Sequence, residues 1–436
     1  MGRRVVITGM GTVTPHADDV DVLYRRLCEG VSAVDRIQQF DPRTVQAQIA
    51  AEVRYEVRGP LRVGPYDCAP RTMRFATAAA ERALNDAGLT APDGDDHAAR
   101  ARRLVHLTSG VGSTAMEALG PLLLSTWGPP VADAERDLVA LRRALGSSPD
   151  VALQVEEWFC DFAAPALAIQ LGAERATTAA SACASGSHAI LDAVHAIRLG
   201  QADVVLAGGV CTPITRSMMS GFAMLSALSV ANDVPHAASR PFDADRNGFI
   251  MGEGCSLLVL EDLDSARRRG ARIHAEVQGV GVATDAYRLT DPEPSGRGMG
   301  EAMRRALRDA GLGPGDVDYI NAHGTSTKLN DAAETKAVRR TFGDHADSIP
   351  MSSCKSMFGH LIHAAGVTEA IVCVKTIQEG ILTPTINYET PDPDCDLDYV
   401  PNEARRKAAR VAMNNSFGFG GQNVSVVLAA YDGSPA

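Results

Sequence analysis

The residues with chemistry to offer gather in three short segments. Cys183 lies in the run Thr177-Thr178-Ala179-Ala180-Ser181-Ala182-Cys183-Ala184-Ser185-Gly186-Ser187-His188. Small, β-prone residues lead into the cysteine. A helical pattern follows at once (Ala189, Ile190, Ala193, Val194, Ile197) and stops at Gly200. A thiol at such a strand-to-helix turn faces free backbone N–H groups and the positive end of a helix dipole. Both favour thiolate over thiol, so the expectation is a nucleophile. A nucleophilic cysteine needs a histidine from elsewhere in the chain. Two segments offer one: Asn321-Ala322-His323-Gly324-Thr325-Ser326-Thr327 and Lys355-Ser356-Met357-Phe358-Gly359-His360. Each sets its histidine among Gly, Ser and Thr ahead of a helical pattern, whereas a core histidine sits within an apolar run.

The elements that must position these groups alternate between strand and helix. Val204–Gly209, Cys255–Leu260 and Val424–Leu428 read as buried strands, and Asp262–Gly270 as a charged helix. Near-continuous apolar strands between helices imply an α/β protein whose sheets are covered on both faces. The chain also echoes itself. Ala83-Leu84-Asn85-Asp86-Ala87-Gly88-Leu89 returns as Ala306-Leu307-Arg308-Asp309-Ala310-Gly311-Leu312, each a helix end with a glycine cap. Each is followed by an apolar strand and a Gly/Ser/Thr loop, and each half opens with a similar strand, Val5–Gly11 and Ala275–Gly281. The expectation is a duplicated α/β unit, residues 1–271 and 272–436, with the site between the halves. Pro129, Pro130 and many charges mark Ser125–Asp150 as an inserted surface excursion, with a helix-like piece over Ala134–Leu145.

Composition narrows the function classes. The 436 residues carry a net charge of −11, which argues against nucleic-acid binding. No apolar run approaches the ~18 residues that span a bilayer, and no signal peptide is legible at Met1–Thr8, so a cytoplasmic protein is expected. Nine cysteines without paired spacing fit reduced thiols. Cys-x-x-Cys and His-Glu-x-x-His do not occur, so no metal site is expected. The Gly418–Gly421 segment precedes a terminal strand and not a strand–helix unit, which weakens a nucleotide-loop reading.

Five segments in order resemble one family: Ala182-Cys183-x-Ser185-Gly186; Ser239-Arg240-Pro241-Phe242-Asp243-x-x-Arg246-x-Gly248-Phe249; Asn321 to Thr327; Lys355-Ser356-Met357-x-Gly359-His360; and Asn415-Ser416-Phe417-Gly418-Phe419-Gly420-Gly421-x-Asn423. The chain looks like a β-ketoacyl-[acyl-carrier-protein] synthase of the type II elongating class, from about Arg3 to Ala430. The resemblance implies a thiolase-like fold with α-β-α-β-α layers and a decarboxylative condensation without cofactor. It implies that Cys183 takes an acyl chain as a thioester and that His323 and His360 flank a malonyl thioester. Lys355 and Glu369 would organise charge around His360. Cys183 and Phe419 would supply oxyanion N–H groups, with Phe419 gating an acyl pocket that Phe222 lines. Thr325 and Thr327 would bind the pantetheine arm beside Phe417. His188 and His195 have no role in the pattern, and His363 stands where many relatives carry a small residue.

The match loosens where partners are concerned. The basic patch that would meet an acidic acyl carrier protein is thin: Arg71 and Arg74 are the candidates, and Ser226 replaces a common Arg. Thr327-Lys328-Leu329-Asn330-Asp331 is also similar to ketosynthase subunits of type II polyketide systems, which pair with a chain-length-factor homologue lacking the cysteine. Three readings follow: a homodimeric enzyme of fatty-acid elongation, the catalytic half of a polyketide or polyene heterodimer, or a non-catalytic partner that shapes a pocket. Cys183 with two histidines speaks against the third. A degradative thiolase would need a second, late catalytic cysteine, and Cys373 and Cys395 lie outside the motifs.

Overall fold

The computed structural model describes residues 2–68, 70–92, 96–110 and 163–433. The Ser125–Asp150 excursion lies outside them.

Ten strands form the central sheet. They are β1 (Val5–Val13), β2 (Arg103–Ser109), β3 (Arg175–Ala179), β4 (Val204–Cys211) and β5 (Gly254–Asp262). Then come β6 (Ala275–Thr284), β7 (Tyr319–Asn321), β8 (Met351–Ser352), β9 (Val411–Gly418) and β10 (Gln422–Ala429). Their spatial order is β8-β7-β9-β10-β6-β1-β5-β4-β2-β3. Read outward from the centre, β1-β5-β4-β2-β3 is repeated by β6-β10-β9-β7-β8, each strand matched by the one five places later. Pair directions repeat as well. β1–β5, β5–β4, β6–β10 and β10–β9 are antiparallel, and β4–β2, β2–β3, β9–β7 and β7–β8 are parallel. The halves meet edge to edge through three residue pairs, Val5–Val277, Val6–Glu276 and Ile7–Ala275.

Helices cover both faces. Outside the first half lie α1 (Arg71–Ala87) and α2 (Ala163–Leu171), and their alanine-rich faces share a core with Val105, Leu206 and Val259. Between the halves lie α3 (Ser185–Arg198) and α7 (Ala365–Glu379), joined through Ile190, Val194, Ala370, Ile371 and Val374 to strands of both halves. Outside the second half lie α5 (Arg297–Ala310) and α6 (Lys328–Phe342), over Ile320, Met413 and Val427. The layers therefore run α-β-α-β-α. Every residue of α7 from Ala365 to Thr376 is buried, as a helix sandwiched between the two halves of the sheet must be.

The sequence echo has a packing cause. A Cβ on Gly11 would lie 2.0 Å from the Ala79 carbonyl oxygen, and one on Gly281 would lie 2.2 Å from that of Ala302. Each glycine lets the first strand of its half sit directly against the outer helix. Those helices end at Gly88 (φ 62) and Gly311 (φ 68), both left-handed caps.

Candidate active site

Cys183 stands in the turn between β3 and α3. The residue before it, Ala182, has φ +48, a conformation that costs a β-carbon residue energy and turns the cysteine back toward the sheet. Ser185 Oγ accepts from the Ser181 N–H at 2.8 Å and donates to the Ala182 carbonyl at 2.6 Å, which ties the turn to the first turn of the helix. The end of β9 presses on this turn. A Cβ on Gly418 would lie 3.1 Å from the Cys183 nitrogen, a tight contact that the glycine relieves where the chain brings Phe419 against the turn. The Cys183 sulfur accepts from its own N–H and from that of Phe419.

His323 comes from the loop after β7 and His360 from the loop after the one-turn helix Lys355–Phe358. Side-chain donor atoms of Cys183, His323 and His360 all lie within 4.8 Å of one another. The two rings are 5.5 Å apart at 83°. Phe249 packs edge-on to His360 at 5.3 Å and Phe417 to His323 at 5.9 Å. A thiol and two imidazoles are also a donor set that a zinc-like cation accepts.

Electrostatics corrects one expectation. The helix end does not make Cys183 acidic: burial pushes the thiol up to about 11, against the pull of the Phe419 N–H and the Lys355 charge. Both histidines move the opposite way. Burial first, then the Lys355 ammonium, holds each well below the ordinary imidazole value, so both are neutral near pH 7. In neutral His360, Nδ1 accepts the Ile362 N–H at 3.3 Å, which leaves the proton on Nε2, a buried atom with no protein partner. His323 Nδ1 is also buried and without a partner.

Lys355 is 1% exposed. Its ammonium pairs with the Glu369 carboxylate and donates to the His323 carbonyl at 2.7 Å. It is thus bonded to the first histidine segment, while its field reaches both rings. Burial raises Glu369 to about 7, and Lys355 opposes this. Glu334 of α6 was not foreseen. Its carboxylate accepts the backbone N–H groups of His323 and Gly324, each at 2.8 Å, and burial raises it to about 7. An acid on the face of α6 that also carries Ala333, Ala337 and Val338 is the signal that could have found it.

Two cavities meet at the cysteine. The front one, about 410 Å³, is lined by His323, Thr325, Thr327, His360, Phe249 and Phe417. Thr325 and Thr327 hydroxyls bond each other there at 2.9 Å. The rear one, about 470 Å³, is lined by Met218, Phe222, Ile362, His363 and Cys211. Among the described residues, Cys183 and Phe419 alone line both. Phe222, on helix α4 (Arg216–Met224), lies 6.4 Å from the Phe419 ring. A larger groove, about 1010 Å³, lies beside Asp21, Arg82, His274 and Lys375. Lys375 pairs there with Asp21 at 2.7 Å and Glu379 at 2.9 Å, and Arg82 pairs with Asp18.

The other sequence candidates lie outside this cluster. Arg71 is not a free cation for a carrier protein: it pairs with buried Glu253 and donates to the Val53 carbonyl at 2.8 Å. Arg74, in the first turn of α1, is half-buried. His188 bonds Ser181 Oγ at 2.7 Å, and His195 is exposed. Among the described residues no helix is long and apolar enough to cross a membrane.

Comparison with known proteins agrees with the geometry. Residues 2–266 match the family profile "Beta-ketoacyl synthase, N-terminal domain" and residues 274–389 the profile "Beta-ketoacyl synthase, C-terminal domain". The 3-oxoacyl-[acyl-carrier-protein] synthase 2 of Synechocystis sp. is 38% identical over 431 residues, 98% of either chain. A solved ishigamide ketosynthase/chain length factor superposes with TM-score 0.85 at 33% identity, covering 99% of this chain and all of the other. A type II PKS ketosynthase solved with its acyl-carrier protein, bound to the hexaketide, also gives 0.85, at 32% identity and the same coverage. The chain belongs to the β-ketoacyl synthase family.

Proposed function

We propose that the protein is a 3-oxoacyl-[acyl-carrier-protein] synthase that joins an acyl group on Cys183 to malonyl-acyl carrier protein with loss of CO₂. The observation that carries this reading is the placement of Cys183 and Phe419 as the shared wall of two cavities, with two neutral imidazoles on the front side. The rear cavity holds the acyl chain, and the front one admits the pantetheine arm past Thr325 and Thr327.

The steps follow from the groups present. His323, whose tautomer no protein bond fixes at Nδ1, accepts the Cys183 proton as the sulfur attacks the incoming thioester, and the carrier thiol leaves with a proton. The N–H groups of Cys183 and Phe419 that face the sulfur stabilise the carbonyl oxygen there. Malonyl-carrier protein then loses CO₂. The electrons of the broken C–C bond form an enolate whose oxygen takes the His360 Nε2–H bond and a second from His323. The enolate carbon attacks the acyl thioester, and Cys183 leaves as thiolate and takes up a proton from water, since its own left with the carrier thiol. Lys355, Glu369 and Glu334 hold the histidine segments in place, while burial and the Lys355 charge keep the rings neutral. The two halves divide at residues 271 and 272.

A second reading has a specific observation behind it. The ketosynthase/chain length factor neighbour suggests that this chain works as the cysteine-bearing member of such a pair. Intact-protein mass after mixing with a panel of acyl-carrier proteins tests both. The expected result is an acyl adduct on Cys183 that Cys183→Ala removes, with condensation falling at least about a thousandfold and malonyl decarboxylation surviving. An adduct that forms only with a co-expressed homologue selects the heterodimer; loss of decarboxylation with condensation intact overturns the roles.

A further inference from the structure

The rear cavity contains a side chain that the reaction does not use. His363 lies in the short 3-10 turn Ile362–Ala364 that leads into α7, and its ring lies over Gly110. A Cβ on Gly110 would come within 2.7 Å of His363 Cε1, so the ring occupies a seat that only glycine leaves open. His363 Nδ1 lies 3.4 Å from the Cys211 sulfur, which pins the ring from the other side. The residue is half-buried by surface, yet burial holds its imidazole down at about 4. The ring lines the rear cavity, and it stays neutral there. The same cavity carries Cys183, so an acyl chain that enters it from that sulfur meets this ring.

We propose that His363 is a specificity-determining residue: its imidazole, wedged between Gly110 and Cys211, limits the length of acyl chain that Cys183 can hold. The proposal rests on the acyl-transfer reading of the rear cavity. Close-packed walls do not yield to an extra methylene without displacement, and one methylene in an apolar pocket is worth about tenfold or more in selectivity. His363→Gly removes the ring and opens the seat over Gly110. His363→Leu keeps comparable bulk and removes the polar edge, so it separates size from hydrogen bonding.

The test has two arms. In the first, acyl carrier proteins loaded with straight chains from butyryl to palmitoyl compete for Cys183, read by intact-protein mass. His363→Gly is expected to shift the preferred chain longer by at least two carbons, with about tenfold or greater change in the ratio of long to short adduct. His363→Leu is expected to keep the wild-type preference. In the second arm, straight-chain alkyl methanethiosulfonates of graded length label the thiol directly, releasing methanesulfinate and forming a mixed disulfide, with the site mapped to Cys183. This arm measures the cavity without the carrier protein. An unchanged length profile for His363→Gly in the alkyl series overturns the length limit. A shifted alkyl profile with no adduct from any acyl carrier protein, even beside a co-expressed homologue, keeps the cavity limit and overturns acyl transfer. A shift in His363→Leu equal to that in His363→Gly overturns the size argument. Circular dichroism of each variant confirms that the fold is retained.

Discussion

At the residue scale, the site is defined by who carries a proton. A thiol near 11 cannot act alone at neutral pH, so an imidazole free to accept is required. The Lys355 charge helps keep both imidazoles neutral well into the acid range, after burial itself. The double variant Lys355→Met/Glu369→Gln removes that charge without leaving an unpaired buried ion. Loss of a nearby cation raises an imidazole pKa, so the acid limb of the acylation rate should move to higher pH. The alkaline side should move upward too, because the Lys355 charge lowers the Cys183 value by more than the Glu369 charge, removed with it, raises it. A stopped-flow or quench profile of Cys183 acylation against pH reads both limbs. An acid limb that stays in place or moves down contradicts the role given to Lys355.

At the element scale, the duplicated architecture rests on two matched contacts, β1 on α1 and β6 on α5. Both use glycine to bring a strand onto the backbone of a helix, Gly11 onto Ala79 and Gly281 onto Ala302. The halves differ in sequence but face the same steric requirement, so equivalent substitutions should have equivalent costs. Gly11→Val and Gly281→Val should each destabilise by about 1–3 kcal/mol, or prevent folding outright, because the new atoms meet main chain that cannot move aside. Urea unfolding compares the two, and a neutral result for either one breaks the structural equivalence. The echo of Ala-Leu-x-Asp-Ala-Gly-Leu exposes this contact in the sequence, since it records both the helix face and its cap.

At the scale of the whole molecule, β3 is the end of the sheet among the described residues. It pairs with β2 on one side, and its residues are largely exposed. This strand leads into the Cys183 turn, and a bare sheet edge is a template for pairing with another chain. A second copy or a homologue is expected to pair there and so steady the nucleophile. Ala176→Lys with Ala179→Lys should convert the assembly to monomer in light scattering and slow Cys183 acylation. An unchanged mass places the interface elsewhere.

The candidate chemistry and the internal repeat were both legible in local sequence pattern. Cys183, His323 and His360 stood in short polar, glycine-rich segments, a setting that local pattern reveals, and the apolar strands and glycine caps announced the α/β halves. Tertiary structure decided what depends on distance and burial. The sequence suggested a helix-activated thiolate at Cys183. The folded chain buries the sulfur too deeply for the dipole to prevail, because desolvation grows with every surrounding element. Arg71 read as a surface cation, and Glu253, 182 positions away, claims it. Glu334 gave no motif, since its partners are main-chain N–H groups, which carry no residue identity. The two cavities, and the His363 ring that closes part of one, exist only where loops from both halves converge on a single sulfur.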